Sequence, residues 1–166
     1  RMVIWFEERI LRKIRHFGVR TSDMEQTIRE LNPHAVFHNH PYLTPRPSVV
    51  KDNHGGDEPF DGIYFARLAR DKGIFDLLDA IKLVRVDRPD SRYLIFGQGD
   101  EGAVSKVLHA ADVLGIRDAI DFRGYQSNME VVYRAALGAK MCILPTYHDV
   151  VPGTIIESMR MKLPVI

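Results

Sequence analysis

At 166 residues, with 45% apolar and 27% charged side chains, the chain has room for one ordinary α/β domain, or for one domain and part of another. A formal net charge of +1 gives no electrostatic case for nucleic acid or an acidic partner. The single cysteine, Cys142, rules out an internal disulfide, and no apolar run approaches the roughly 18 residues of a membrane span.

The first third alternates helix and strand. Residues 2 to 16 have an amphipathic helical pattern, and the basic run Arg9 to Arg15 alternates with Ile10, Leu11 and Ile14. That run fits a packed helix with a basic outer face better than a membrane-surface helix. Val19-Arg-Thr21 reads as a short strand, Ser22 to Leu31 as a helix and Ala35-Val-Phe37 as a further strand. Glu25, three residues after Ser22, completes a capping pattern. His38 and His40 form an HxH pair at a strand end, but without third and fourth ligands at supporting spacing a metal is disfavoured. The prolines, Gly-Gly pair and charges between Pro41 and Asp61 read as a linker. The expected organisation is therefore residues 1–44, a linker over 45–60, and a domain over 61–166.

From Ile63 onward apolar strands alternate with amphipathic helices. Ile63 to Leu68, Tyr93 to Phe96, Ile120 to Phe122, Lys140 to Pro145 and Leu163 to Ile166 read as strands. Between them, Ile74, Leu77, Leu78, Ile81 and Val84 recur at helical spacing. Further helices are expected over Glu101 to Leu114, Asn128 to Ala136 and Thr154 to Lys162, with Gly115 and Asn128 as caps. This order implies a Rossmann-like parallel sheet with helices on both faces. Ligands on such sheets bind at the carboxyl ends of the strands, where Arg67, Gly97, Gly124 and Asp149 fall.

The residues there suit a phosphorylated, hydroxylated ligand. Arg67 can hold phosphate through two N–H groups, and Lys72 adds a mobile charge before Gly73. Gly97-Gln-Gly99 is half of a dinucleotide fingerprint, and a tight turn explains it equally well. Asp149 lies in a loop, and Glu157, eight positions on, lies about a turn into a helix whose free amides favour anions. Spacing alone also fits a turn aspartate and a helix-start glutamate. Cys142, in an apolar strand, is expected to be buried and inert.

Four segments, in order, resemble the C-terminal half of a GT-B glycosyltransferase of the retaining family four. They are Phe65-Ala-Arg-Leu-Ala-Arg-Asp-Lys-Gly73, Tyr93-Leu-Ile-Phe-Gly-Gln-Gly-Asp-Glu101, Ile120-Asp-Phe-Arg-Gly124, and Asp149 to Met159 with its sequel Leu163-Pro-Val165. The resemblance implies a domain that binds a nucleoside-diphosphate sugar. It assigns Arg67 and Lys72 to the diphosphate, Glu157 to the ribose, and the amides of Gly153 and Thr154 to phosphate. Backbone near Tyr125 would meet the base, with Gly97 lining the same site, and Asp149 would stand beside the transferred sugar. It implies no metal or other cofactor, a saccharide or lipid-linked acceptor, and a cytoplasmic parent with room for peripheral association at the inner membrane face.

Surface polysaccharide or glycoconjugate synthesis is the role this family suggests. Residues 1–44 would be a remnant of the acceptor domain, so the chain is expected to be a fragment that binds donor nucleotide without turning over. Asp149 departs from the family's usual glutamate, and Ala66 from a common glycine. The rival readings are a non-catalytic nucleotide- or sugar-binding module and another GT-B enzyme, such as a nucleotide-sugar epimerase. A response-regulator-like domain is disfavoured because Arg67 stands where an acidic cluster would be needed.

Overall fold

In the computed structural model the described residues are 2–39, 46–50, 59–149 and 152–166, with backbone only for 2–6. The chain divides into two compact units, Arg1–Leu43 and Thr44–Ile166. Most of the expected linker lies outside the described residues, as does His40 of the HxH pair.

The first unit is α1 (Met2–Leu11), β1 (His16–Val19), α2 (Ser22–Leu31) and β2 (Val36–Asn39), with β1 and β2 parallel. The helix expected over 2 to 16 ends at Leu11, and its basic run continues into a turn and then β1. Asn32 accounts for this early stop. Its buried side chain donates to the carbonyl oxygens of Leu11 at 3.0 Å and Ile14 at 2.8 Å, satisfying groups that a continuing helix would have used. The strand expected at Val19 to Thr21 accordingly begins three residues earlier, at His16. The cap of α2 is Thr21, one residue before the expected Ser22: its Oγ1 accepts from the Met24 amide at 3.3 Å.

The second unit is built on β3 (Gly62–Phe65), β4 (Tyr93–Phe96) and β5 (Ile120–Gly124), which pair in parallel in the order β3-β4-β5. Residues 140–144 and 163–166 extend the sheet beyond β3. Cys142 bridges to Ile63 on one side and to Val165 on the other. The amides of Ile63 and Ile143 complete one edge, and those of Cys142, Leu144 and Ile166 the next. These two segments were expected as strands; they pair through isolated parallel bridges rather than continuous ladders. Counted in chain order the five rungs run 3-2-1-4-5, the doubly wound arrangement whose order reverses between β3 and residues 140–144.

Both sheet faces are covered. Tyr64 and Ile95 pack with Ile74, Leu77, Leu78 and Ile81 of α3 (Ile74–Asp87) and with Val107 and Ala111 of α4 (Ala103–Leu114). On the opposite face Ile63, Phe65, Leu94 and Phe96 pack with Val132 and Ala136 of α5 (Met129–Ala136) and with Met161, just past α6 (Gly153–Arg160). β3 and β4 are buried at every position and read as continuous apolar runs, which is why they stood out in the sequence.

Candidate functional site

The site forms where the strand order reverses, and one contact organises it. After β3 the chain passes Arg67 and a single 3₁₀ turn, Arg70–Lys72, before Gly73 opens α3. After residues 140–144 it passes Pro145, Thr146, Tyr147 and Asp149. Gly73 has φ +67°, and a Cβ there would stand 1.9 Å from the Pro145 carbonyl oxygen, so only glycine lets the two loops approach this closely. The loops are then tied together. The Tyr147 amide donates to the Asp71 carbonyl at 2.9 Å, and the Thr146 hydroxyl, with one proton to share between this oxygen and Asp149, stands 3.1 Å from it.

Lys72 Nζ and Asp149 Oδ2 meet across this seam at 2.5 Å, with their side chains 15% and 21% exposed. Thr146 Oγ1 lies 2.8 Å from the same carboxylate oxygen. Burial pushes the Asp149 carboxyl up, but Lys72 and Thr146, helped by the more distant charge of Arg67, hold it below its ordinary range. Arg67 is more open. Its guanidinium pairs with Asp71 at 3.0 Å and leaves the rest of its fork facing solvent. Beneath the turn, the buried ring of Tyr64 sends its hydroxyl to the Arg67 carbonyl at 2.6 Å, which fixes the turn to the core.

Beside Arg67 a cavity of about 190 Å³ opens between the carboxyl ends of β3, β4 and β5. Phe65, Phe96, Met129 and Val132 make its apolar wall, and Gln98, Tyr125 and Gln126 stand at its rim. Tyr125 is 60% exposed, so its ring is open to a flat ligand as well as its backbone. Gly97 makes this geometry feasible, because a Cβ there would stand 2.1 Å from the Ala66 carbonyl oxygen. Gln126 donates to the Arg123 carbonyl at 3.0 Å, leaving its amide oxygen as an acceptor.

On the far side of the seam α6 begins at Gly153 behind Pro152, with no side-chain cap. The Thr154 hydroxyl donates to the Phe65 carbonyl at 2.9 Å, which pins the helix start to the end of β3. Glu157, 8% exposed, lies one turn further along. Burial pushes its carboxyl up, while Tyr133 and Arg160 act against that shift. Tyr133 Oη makes no hydrogen bond of ordinary geometry among the described residues, so the phenol and the carboxylate influence each other without closing on one another.

The candidate residues named from sequence thus fall into three adjoining places: Arg67, Lys72 and Asp149 at the seam, Gly97 and Tyr125 at the cavity, and Gly153, Thr154 and Glu157 on α6. Thr146, Tyr64 and Asp71 were not foreseen, and at Gln126 only the backbone, beside Tyr125, was. Tyr64 carried a faint signal, being a phenol in an otherwise apolar buried strand; the others look like ordinary loop residues. His148 is exposed beside Asp149. Among the described residues no group of three or more metal-ligating side chains converges, and no helix is long and apolar enough to cross a membrane.

Residues 59–166 match the family described as glycosyl transferases group 1, well over half of the chain. The chain belongs to that family. Over 104 residues it is 30% identical to TuaC of Bacillus subtilis (strain 168), named as a teichuronic acid biosynthesis glycosyltransferase, covering 63% of this chain and 23% of TuaC. Its fold matches that of the pneumococcal O-GlcNAc transferase GtfA, crystallised with UDP and GlcNAc, with a TM-score of 0.74 at 19% identity over 96% of this chain and 31% of GtfA. Sucrose-phosphate synthase from Thermosynechococcus elongatus gives a TM-score of 0.77 at 22% identity, over 99% of this chain and 43% of that one. The architecture is that of GT-B fold halves, and the chain spans under half the length of each of these relatives.

Proposed function

We propose that this chain is the donor-binding part of a retaining family-four glycosyltransferase, which moves a hexose from a nucleoside-diphosphate sugar to a saccharide or lipid-linked acceptor. The observation that carries the reading is the Lys72–Asp149 pair at the strand-order reversal, flanked by Arg67, the apolar cavity and the start of α6. A planar base fits the cavity, the Glu157 carboxylate accepts from ribose hydroxyls, and the diphosphate lies between Arg67, Lys72 and the amides of Gly153 and Thr154. Asp149, held on Lys72, faces the transferred sugar.

Glycosyl transfer leaves negative charge on the departing diphosphate while the sugar becomes cationic. Fixed cations at the diphosphate therefore stabilise the transition state more than the ground state. Arg67 and Lys72 supply that charge, so the chemistry proposed here needs no divalent ion. Residues 1–44 are assigned to the end of the acceptor domain, which leaves the chain able to bind donor nucleotide but not to turn over. The name of TuaC supports a place in surface polysaccharide synthesis, which would put the parent in the cytoplasm, at the inner membrane face.

Calorimetric titration of the folded chain with UDP, GDP and ADP tests the reading. Binding of at least one is expected, with Arg67→Ala weakening the diphosphate far more than the matching nucleoside. No binding to any, or equal loss for both ligands, would sink the donor-site assignment.

A further inference from the structure

Two exposed histidines of the first unit, His16 and His38, face one another across its strand pair. His16 Nδ1 lies 3.0 Å from His38 Nε2, and the ring centroids are 5.3 Å apart with a 30° tilt. The register explains why a diagonal pair meets. His38 stands opposite Gly18, which has no side chain, while His16 stands opposite Val36. With nothing opposing it, the His38 ring leans along the strands toward His16. Phe17 and Phe37 stack on the other face with centroids 6.0 Å apart, so strand alternation turns both histidines the same way.

We propose that His16 and His38 form a two-histidine site for a borderline divalent metal ion, of the class of nickel, copper(II) or zinc. At 3.0 Å two neutral imidazoles can only share one proton, one nitrogen donating and the other accepting. Replacing that proton with a metal makes both nitrogens ligands. With the centroids 5.3 Å apart both nitrogens lie nearly on the line between the rings, so the rings turn to aim their lone pairs at a common ion. Two metal–nitrogen bonds of about 2.05 Å across the 3.0 Å gap then subtend about 94°, close to the right angle of octahedral or square-planar coordination. Zinc, which prefers a tetrahedral angle, needs the rings to open slightly. Water fills the remaining positions, so binding is reversible and modest. It ties β1 to β2 and couples the stability of this unit to the ion. The site is cross-strand, unlike the sequence-adjacent pair His38 and His40, and it is independent of the donor site.

Titration of the chain with nickel chloride, followed by ¹H–¹⁵N correlation spectra, tests this directly because a bound paramagnetic ion broadens nearby signals. Broadening should centre on residues 16–18 and 36–39 and reverse with EDTA. It should fade on acidification, since only neutral imidazole ligates. His16→Ala and His38→Ala should each weaken binding by more than about tenfold, whereas His109→Ala should leave it unchanged. Undiminished binding in His16→Ala, with the spectrum showing the variant folded, overturns the proposal. So does loss in His40→Ala alone, which would return the site to the HxH pair, or the absence of local broadening at millimolar nickel.

Discussion

Lys72 and Asp149 lie 77 positions apart in sequence, yet their charged atoms stand 2.5 Å apart, on loops that leave neighbouring strands where the sheet reverses its order. Thr146 holds the same carboxylate oxygen, so Asp149 is fixed from two sides. The principal cation of the seam therefore already has an anionic partner. A diphosphate entering between Arg67 and α6 must share Lys72 with Asp149 or displace it.

Asp149→Asn removes that competitor while keeping the shape. Nucleoside diphosphate should then bind the chain more tightly, by up to about fivefold, taking the ion pair as worth about 1 kcal/mol. The gain should shrink as salt rises. Titration with UDP at two ionic strengths measures it. Weaker binding in the variant would mean that the pair organises the site instead of competing for it.

Gly73→Ala should open the seam. The left-handed backbone at this position costs a non-glycine residue about 1–3 kcal/mol, and the new methyl would stand 1.9 Å from the Pro145 oxygen. Urea unfolding should show at least that loss of stability, together with weakened nucleotide binding as Lys72 and Asp149 separate. Gly102→Ala is the comparison, since its φ is also positive but nothing lies within 4 Å of the added carbon. It should lose stability through strain and retain binding. Identical behaviour of the two variants would remove close approach as the reason for glycine at 73.

Cys142 sits between Ile63 and Val165 in the middle of the sheet with no exposed surface, and burial pushes its thiol up to about 11. Both effects suppress the reactive thiolate. In the native chain at pH 8, a disulfide reagent should react at the rate of unfolding and reach full stoichiometry only in denaturant. Rapid labelling without denaturant would show that residues 140–144 detach from β3.

β3 and β4 were legible because each is an apolar run covered on both faces, and the Rossmann-like class followed from the alternation of strands with helices. Residues 140–145 read equally well as a strand, but how regularly they pair depends on Ile63 and Val165, which local pattern does not report. The end of α1 was hidden for a similar reason, since Asn32 stops it from 21 positions away. At the site, the charge-bearing residues were visible as types at strand ends. Their partners were not. That Asp149 occupies Lys72, that Asp71 occupies part of Arg67, and that Thr154 spends its hydroxyl on Phe65 are tertiary facts. The His16–His38 contact depended on Gly18 in the opposing register, so the sequence pointed to His40 instead.

Glu157 connects the site to stability through pH. Its carboxyl is pushed above the ordinary value of 4.5, chiefly by burial. The native chain therefore binds this proton more tightly than the unfolded chain does. Over the window from about 4.5 up to the raised native value, stability from this group falls as pH rises. Above that window the buried charge is a standing penalty, relieved on acidification. Glu157→Gln removes it, so the variant should be more stable than the parent at pH 7, and the difference should narrow as pH drops through the window. Nucleoside binding should weaken in the same variant, because a neutral amide is a poorer acceptor for ribose hydroxyls than a carboxylate. Thermal unfolding from pH 4 to pH 8, alongside uridine titration at pH 7, reads both effects. A variant less stable at pH 7, with nucleoside affinity unchanged, would make Glu157 a structural residue of α6 and leave the ribose without its acceptor.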